Sequence, residues 1–487
     1  MFWFDSDVIM YGFLNGYHIF MLVFALSIMS SYIILGTISI LSLRKYLKEN
    51  SFVNYQKILN SEMAPRLSLI APAYNEGMTI EENVQSLLSL NYNNFEVIVV
   101  NDGSRDNTLQ LLIKTYGLVA VDSEVAGKIP TKQIIQIYKS RNKAFKKLTV
   151  IDKVNGGKAD ALNVGINFSE NPYVVCIDVD CILEKDALLK LAKPYLERSD
   201  SRMIATGGVV RIANSCTSDG GRLVKIRAPQ KYLPRIQVLE YLRAFLLGRM
   251  AWSKLDGLLL ISGAFGMFDK EIAIKAGGYN PATVGEDMEL VVRMRRYMIE
   301  NNFKYSVFYI PDPICWTEAP ESFKVFKKQR SRWTRGTMET LWAHKKMFLN
   351  PKYKILGIIS IPYWTFFEYL APLLEIIGII VSICLIFFGL ISWKLLLLVT
   401  VMVYVFAVMI SCLALLTEEY TYSQYTRIND FKRLLVAAFI EPFYFHPVTV
   451  YAAVLGNWEK IRGKNGWGEM KRSGFKTKTV QQTIIAD

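Results

Sequence analysis

Asp178 and Asp180 stand one residue apart in CIDVDC, directly after the apolar run Val174–Ile177. Alternate residues at an extended strand end point the same way, so this pair can offer hard oxygens to one divalent ion. Asp102, in VVNDGS, closes another apolar run, where a turn carboxylate can accept a hydrogen bond from a nucleobase N–H. Gly156 and Gly157 allow close backbone approach to a ligand, and Lys158 opens the next helix with positive charge for a diphosphate or a base edge. The GxxxxGK[ST] spacing of a Walker A loop is absent. Glu286 and Asp287, in VGEDMEL, stand where a helix should begin, which favours their charge. An ionised carboxylate there can act as a general base. Adjacent acids point differently on a helix, and Asp287 is the one assigned to an acceptor.

The stretch Gln329–Gly336, QRSRWTRG, is a dense run of cation, amide and indole. Arg332 and Arg335 could bind phosphates and Trp333 could stack on a sugar, although a basic helix beside a membrane would look the same. In Ser262–Gly266, SGAFG, Gly263 permits close backbone approach, while Phe265 could face an acceptor or belong to the core. Glu76 sits in the polar turn Tyr74–Gly77, and Trp316 offers either a stacking platform or a packed side chain. The six cysteines form no CxxC pair and read as small buried hydrophobes, and the three histidines are too dispersed for a metal site.

These residues need a scaffold. Leu67–Ala71, a helical stretch to about Leu90, and Val97–Val100 form a strand–helix–strand unit, the signature of a parallel sheet with its loops at the strands' C-terminal ends. Leu148–Val154 and Val174–Ile177 continue the pattern, so a soluble domain is expected over 65–345. Its segment 117–147 reads as an irregular basic surface excursion without chemistry. Beyond a short segment 1–16, residues 17–43 carry no formal charge and can cross a ~30 Å hydrocarbon core. Arg44, Lys45 and Lys48 follow, giving an uncleaved anchor with its N-terminus outside, and then a linker over 44–64.

Residues 351–372, with Pro362, Glu368 and Pro372, read as an interfacial or broken helix. Within 373–456 the span candidates are Leu373–Ile391, Leu395–Leu416 and a poorer Leu434–Leu455 carrying Glu441, Pro442, His446 and Pro447. The tail 457–487 is basic. One span plus three would leave that tail outside, against the positive-inside tendency; a fifth span or a re-entrant last segment would not. The chain has 57 basic and 43 acidic residues, net +14, with many of the cations flanking apolar segments. That fits a membrane facing the cytosol, and the lack of zinc-finger, RRM or basic-zipper patterns speaks against nucleic acid.

The ordered motifs DGS, GGK, DxD, ED and QxxRW, over about residues 65–340, resemble the membrane-bound family 2 glycosyltransferases. These include cellulose, hyaluronan and poly-N-acetylglucosamine synthases. The resemblance implies an α/β nucleotide-diphospho-sugar transferase domain, with a mixed, mostly parallel sheet, inserted between transmembrane helices. It implies a UDP-sugar donor, a polysaccharide acceptor, Mg2+ or Mn2+, and inversion at the anomeric carbon. Asp102 would then contact the uridine, and Lys158 would lie near the nucleotide. Asp178 and Asp180 would position diphosphate and metal, with Asp180 the direct ligand. Asp287 would deprotonate the acceptor, while Gln329, Arg332 and Trp333 would hold the donor diphosphate and acceptor end. A multi-pass protein of a bacterial plasma membrane, catalytic domain in the cytosol, is the expected setting, with room for accessory export or modification subunits. The tail of about 30 residues is too short for a cyclic-dinucleotide-sensing domain, which weighs against cellulose; the 117–147 insert and single N-terminal span differ from the hyaluronan synthase pattern, and the general form most resembles the poly-N-acetylglucosamine-type synthases. A non-processive transferase acting on a lipid and a non-catalytic scaffold are the alternatives.

Overall fold

The computed structural model describes residues 6–122, 127–197, 200–390, 392–463 and 476–477. Apolar runs buried on both faces form its central strands, as expected of a parallel sheet covered by helices. In chain order the strands are β1 (Leu67–Ala73), β2 (Phe95–Asn101), β3 (Leu118–Val121), β4 (Ile134–Ser140) and β5 (Leu148–Lys153). Next come β6 (Tyr173–Ile177), β7 (Ile182–Leu183), β8 (Arg202–Ile212), β9 (Phe265–Asp269) and β10 (Tyr305–Thr317). They make one mixed sheet in the order β3-β4-β5-β2-β1-β6-β9-β8-β10-β7. The centre, β5-β2-β1-β6, is parallel. Antiparallel pairing flanks it, through β3-β4-β5 on one side and β6-β9-β8 on the other.

Because the four central strands run the same way, their C-terminal ends deliver four loops to one edge: Tyr74–Gly77, Asp102–Asn107, Val154–Gly157 and Asp178–Asp180. Two of these are laced together. Asn75 donates its N–H to Ser104 Oγ at 3.0 Å, and its Oδ1 accepts the Arg105 N–H at 2.8 Å. Asp106 accepts the Gly77 N–H at 3.0 Å.

The segment 117–147 is not a surface excursion. Its β-branched residues build β3 and β4, which extend the sheet through antiparallel pairing with β5. From the connecting loop, Lys132 reaches back to donate to the Asn155 carbonyl at 3.0 Å. The stretch 44–64 is no open linker either, since the first helix runs unbroken from Ser6 to Asn50 and Tyr55–Leu59 forms a short helix.

After the soluble domain the chain forms tight and wide helical turns over Pro351–Tyr369, then the helix Ala371–Phe387, bent by 43° from the preceding Leu356–Tyr369 segment. Trp393–Thr421 and Ile428–Ile461 follow. Among the described residues, three helical stretches are long and apolar enough to cross a membrane (Ile19–Asn50, Leu396–Thr421, Ile428–Ile461), or four if the bent pair counts as one span. Their outward Ile, Leu, Val and Phe side chains, such as Ile380, Ile383 and Leu398, are exposed, as suits a lipid-facing surface. A buried Arg211–Glu418 ion pair and Arg243, which donates to Glu441 and Ser411, tie the soluble domain to these helices.

The last helix contains Pro442 and Pro447, and both its ends lie at the soluble domain. At its start Asp430 is buried, and its charge adds to the burial that pushes the Cys216 thiol up to about 11. At its far end Lys460 pairs with Glu339 at 2.6 Å and Asn457 accepts the Tyr369 hydroxyl at 2.6 Å. Lys464, Lys471 and Arg472 of the basic tail lie outside the described residues.

Candidate active site

A cavity of about 1750 Å3 opens over the strand ends and continues among the membrane-type helices. Its lining includes Glu76, Asp102, Lys158, Asp178, Asp180 and Gly263. Glu286, Asp287, Gln329, Arg332 and Trp333 line it as well. Phe265 is not brought there: it is fully buried within β9, where strand alternation turns its ring into the core. Trp316 is also packed inside, donating its indole N–H to Glu184 at 3.1 Å. Arg335 is buried and outside the lining.

At the sheet end of the cavity, Asp102 organises the glycine loop. Its Oδ1 accepts Lys153 Nζ at 2.6 Å and the Gly156 N–H at 2.9 Å, and its Oδ2 accepts the Gly157 N–H at 2.7 Å. A carboxylate has about four lone-pair sites, so Oδ2 keeps room for one more donor. Lys153 is wholly buried and also pairs with Asp160 at 2.6 Å. Breaking such a buried charge set costs about 3–5 kcal/mol, so the loop is firmly placed. The clue in the sequence was slight: Lys153 is a lysine within the otherwise sheet-like run LTVIDK.

Lys158 opens the helix Lys158–Phe168. Its ammonium pairs with Asp178, donates to the Gly263 carbonyl at 3.1 Å and lies 3.8 Å from Glu286. Burial would lower its pKa, but Asp178, Glu286 and Asp287 outweigh burial and hold it well above the ordinary lysine value. Asp287 accepts the Gly263 N–H at 2.9 Å. A Cβ at position 263 would stand 3.0 Å from that carboxylate and 3.2 Å from Lys158 Nζ, so the glycine lets acid and ammonium converge.

Glu286, beside Asp287, is pushed from 4.5 to about 7, chiefly by burial; Lys158 opposes this, Asp287 adds to it and Arg332 opposes it. Its folded value lies above the unfolded one, so the stability it contributes is complete below about pH 4.3 and lost as pH rises through 7. Between pH 5 and 8, wild-type thermal stability should therefore fall more steeply than that of E286Q. Parallel curves would assign the slope to other groups.

Within the helix Phe323–Ala343, Gln329, Arg332, Trp333 and Gly336 follow the i, i+3, i+4, i+7 spacing of one face. Trp333 is 40% exposed. The guanidinium of Arg330, a residue not singled out above, sits 4.1 Å from its ring centroid and pairs with Glu240. The indole is thus braced on one side.

Among the described residues no group of three His, Cys, Asp or Glu side chains could hold a metal ion by itself. Asp178 and Asp180 nevertheless supply hard oxygens on the cavity wall. Mg2+ and Mn2+ accept one or two carboxylates when substrate phosphates complete the shell, so the donor set fits a diphosphate-bound ion.

Residues 65–336 match the glycosyltransferase-like family 2 profile. The chain belongs to this family. Among curated proteins, the poly-β-1,6-N-acetyl-D-glucosamine synthase of Staphylococcus epidermidis is 28% identical over 327 residues, covering 66% of this chain and 66% of that protein. That of Staphylococcus aureus (strain COL) is 29% identical over 293 residues, covering 59% and 58%. The family 2 chain thus spans just under two thirds of the first relative's length and less of the second's. Among solved structures, a Pyrobaculum calidifontis mannosyltransferase in complex with GDP-Man and Mn2+ is 16% identical, with a TM-score of 0.48 over 86% of this chain and 99% of that one.

Proposed function

We propose that this protein is an inverting glycosyltransferase that moves a sugar from a UDP-sugar to a growing β-linked polysaccharide at the cytosolic face of a bacterial plasma membrane. N-acetylglucosamine is the favoured unit, in keeping with the names of the staphylococcal relatives. One observation carries the reading. A single cavity joins Asp102 and the glycine loop, the Lys158–Asp178 pair, Asp180, Asp287 and Trp333, and then continues to Tyr32, Glu441 and His446 on the helices.

In this reading the uracil N–H meets the remaining lone pair of Asp102 Oδ2, and the diphosphate lies toward Lys158. Asp287 takes the acceptor hydroxyl proton as that oxygen attacks the anomeric carbon opposite the diphosphate. The carbon–oxygen bond to the diphosphate breaks, UDP departs with the electron pair, and the configuration inverts. Trp333, braced by Arg330, stacks on the acceptor sugar, while Gln329 and Arg332 bind the acceptor end and the donor diphosphate. Asp180 would hold Mg2+ or Mn2+ while Asp178 stays on Lys158; the bound ion supplies charge neutralisation at the leaving diphosphate. One base and one displacement suffice.

The first helix, the bent pair and Leu396–Thr421 make three crossings, with Ile428–Ile461 lying along the soluble domain. The catalytic domain and basic tail then share the cytosolic side, as the positive-inside tendency requires.

The test is to incubate the purified, reconstituted protein with a panel of labelled UDP-sugars and Mg2+ or Mn2+. High-molecular-weight product from one donor, abolished by EDTA, is expected. Product that stays short and lipid-linked would select the lipid-glycosylating alternative. Neither product nor UDP binding would overturn the reading.

A further inference from the structure

Glu339 lies outside the cavity, nearly three turns beyond Gln329 on the same helix. Its Oε2 accepts the Thr283 hydroxyl at 2.7 Å and the Val284 N–H at 3.0 Å. Its Oε1 accepts Lys460 Nζ, from the last helix, at 2.6 Å. Thr283 Oγ1 in turn accepts the Gly285 N–H at 3.1 Å. Every residue of the turn that leads into Glu286 and Asp287 is therefore tied, directly or through Thr283, to one carboxylate.

A second contact fixes the same turn. A Cβ on Gly285 would stand 2.7 Å from the Gly336 Cα, and one on Gly336 would stand 2.6 Å from the Gly285 Cα. The two backbones meet with no side chain between them. The start of the Asp287 helix cannot shift without moving the helix that carries Gln329, Arg332 and Trp333. The last helix grips that helix twice, through Glu459 on Ser331 and Lys460 on Glu339. Burial alone would raise the Glu339 pKa, but Lys460, Thr283 and Val284 hold it below the ordinary carboxylate value, so it is ionised in this setting.

We propose that Glu339, held by Lys460, is a positioning residue that sets the Thr283–Gly285 turn so that Asp287 and Trp333 face the acceptor in register. The last helix then becomes part of the transfer machinery. The proposal rests on reading Asp287 as the base, and it places Lys460 and Glu339 in contact with neither donor nor acceptor.

Steady-state kinetics and UDP titration of E339A, E339Q, K460M, T283V and D287N test it. Misplacing a reacting group by an ångström can cost about 100-fold, so E339A should lower kcat by about 10- to 100-fold. Its donor KM and UDP affinity should change less than about twofold, since uniform binding is untouched. E339Q, which keeps an oxygen for Thr283 and Val284, should recover most of the rate. K460M and T283V should fall between, and E339A/K460M should be no slower than E339A, because partners in one network are not additive. Lys460 and its carboxylate sit at a helix–helix edge, so K460M and T283V carry the test should E339A fail to fold. Wild-type kcat in K460M and T283V beside an inactive D287N overturns the positioning role and leaves the base in place. Loss of UDP binding in step with kcat also overturns it. An active D287N instead overturns the reading of the base.

Discussion

D287N should lose about 10²- to 10⁴-fold in kcat, the range contributed by a positioned general base, while UDP affinity stays within about twofold of wild type. Asparagine is nearly isosteric and keeps an oxygen for the Gly263 N–H, which Asp287 accepts at 2.9 Å. The close packing of Gly263 against Lys158 therefore survives, while the capacity to take a proton is lost, together with the acceptor for the Met288 N–H at 2.8 Å. Glu286 supplies an internal control. Burial pushes it up to about 7, so half of it is ionised near neutral pH, next to the missing base. If it substitutes for Asp287, the residual rate in D287N will climb with pH, with a midpoint below that of wild-type Glu286 because the Asp287 charge that raises it is gone, and E286Q/D287N will abolish that climb. Full activity in D287N across the pH range would remove Asp287 from the mechanism.

The second large effect is expected from D180A. The departing diphosphate gathers charge, and a hard ion held by this carboxylate would neutralise it; losing several kcal/mol of that stabilisation corresponds to about 10³-fold or more in rate. Asp178 cannot simply take over, because its carboxylate is engaged by the Lys158 ammonium. The binding signature is specific. D180A should bind UDP more weakly than wild type in Mg2+ but equally in EDTA, whereas a defect of equal size in both media would make Asp180 a structural residue.

The fold was largely legible because its signals are local. Apolar runs closed by DGS, NGGK and DVD announce strands with loops at one edge, and the central parallel strands β5-β2-β1-β6 carry those loops. Long-range partners are another matter. The lysine in a sheet-like run hints at a role for Lys153 but does not name its partners, Asp102, 51 residues before it, and Asp160 on the next helix. The same holds for Glu339, whose partners Thr283 and Lys460 lie far away on either side. The basic composition of 117–147 masked β3 and β4, since most of its cations (Lys128, Lys132, Arg141, Lys143, Lys146, Lys147) lie in the segments beside these strands and only Lys139 lies within them. SGAFG allowed Gly263 and Phe265 to be read together, yet strand pairing from Phe265 onward with β6 assigns the ring to the core and the glycine to the cavity. Hydropathy marked the last helix as a span candidate, but composition does not record that both its ends lie at the soluble domain.

The proposed reaction is a single displacement of UDP by an acceptor oxygen activated at Asp287. Proton NMR of the polymer made by the reconstituted protein from the accepted α-linked UDP-sugar tests it most directly. β-linked anomeric signals are expected, reduced at least about 100-fold in the D287N reaction. An α-linked product, or free sugar alone, would contradict it.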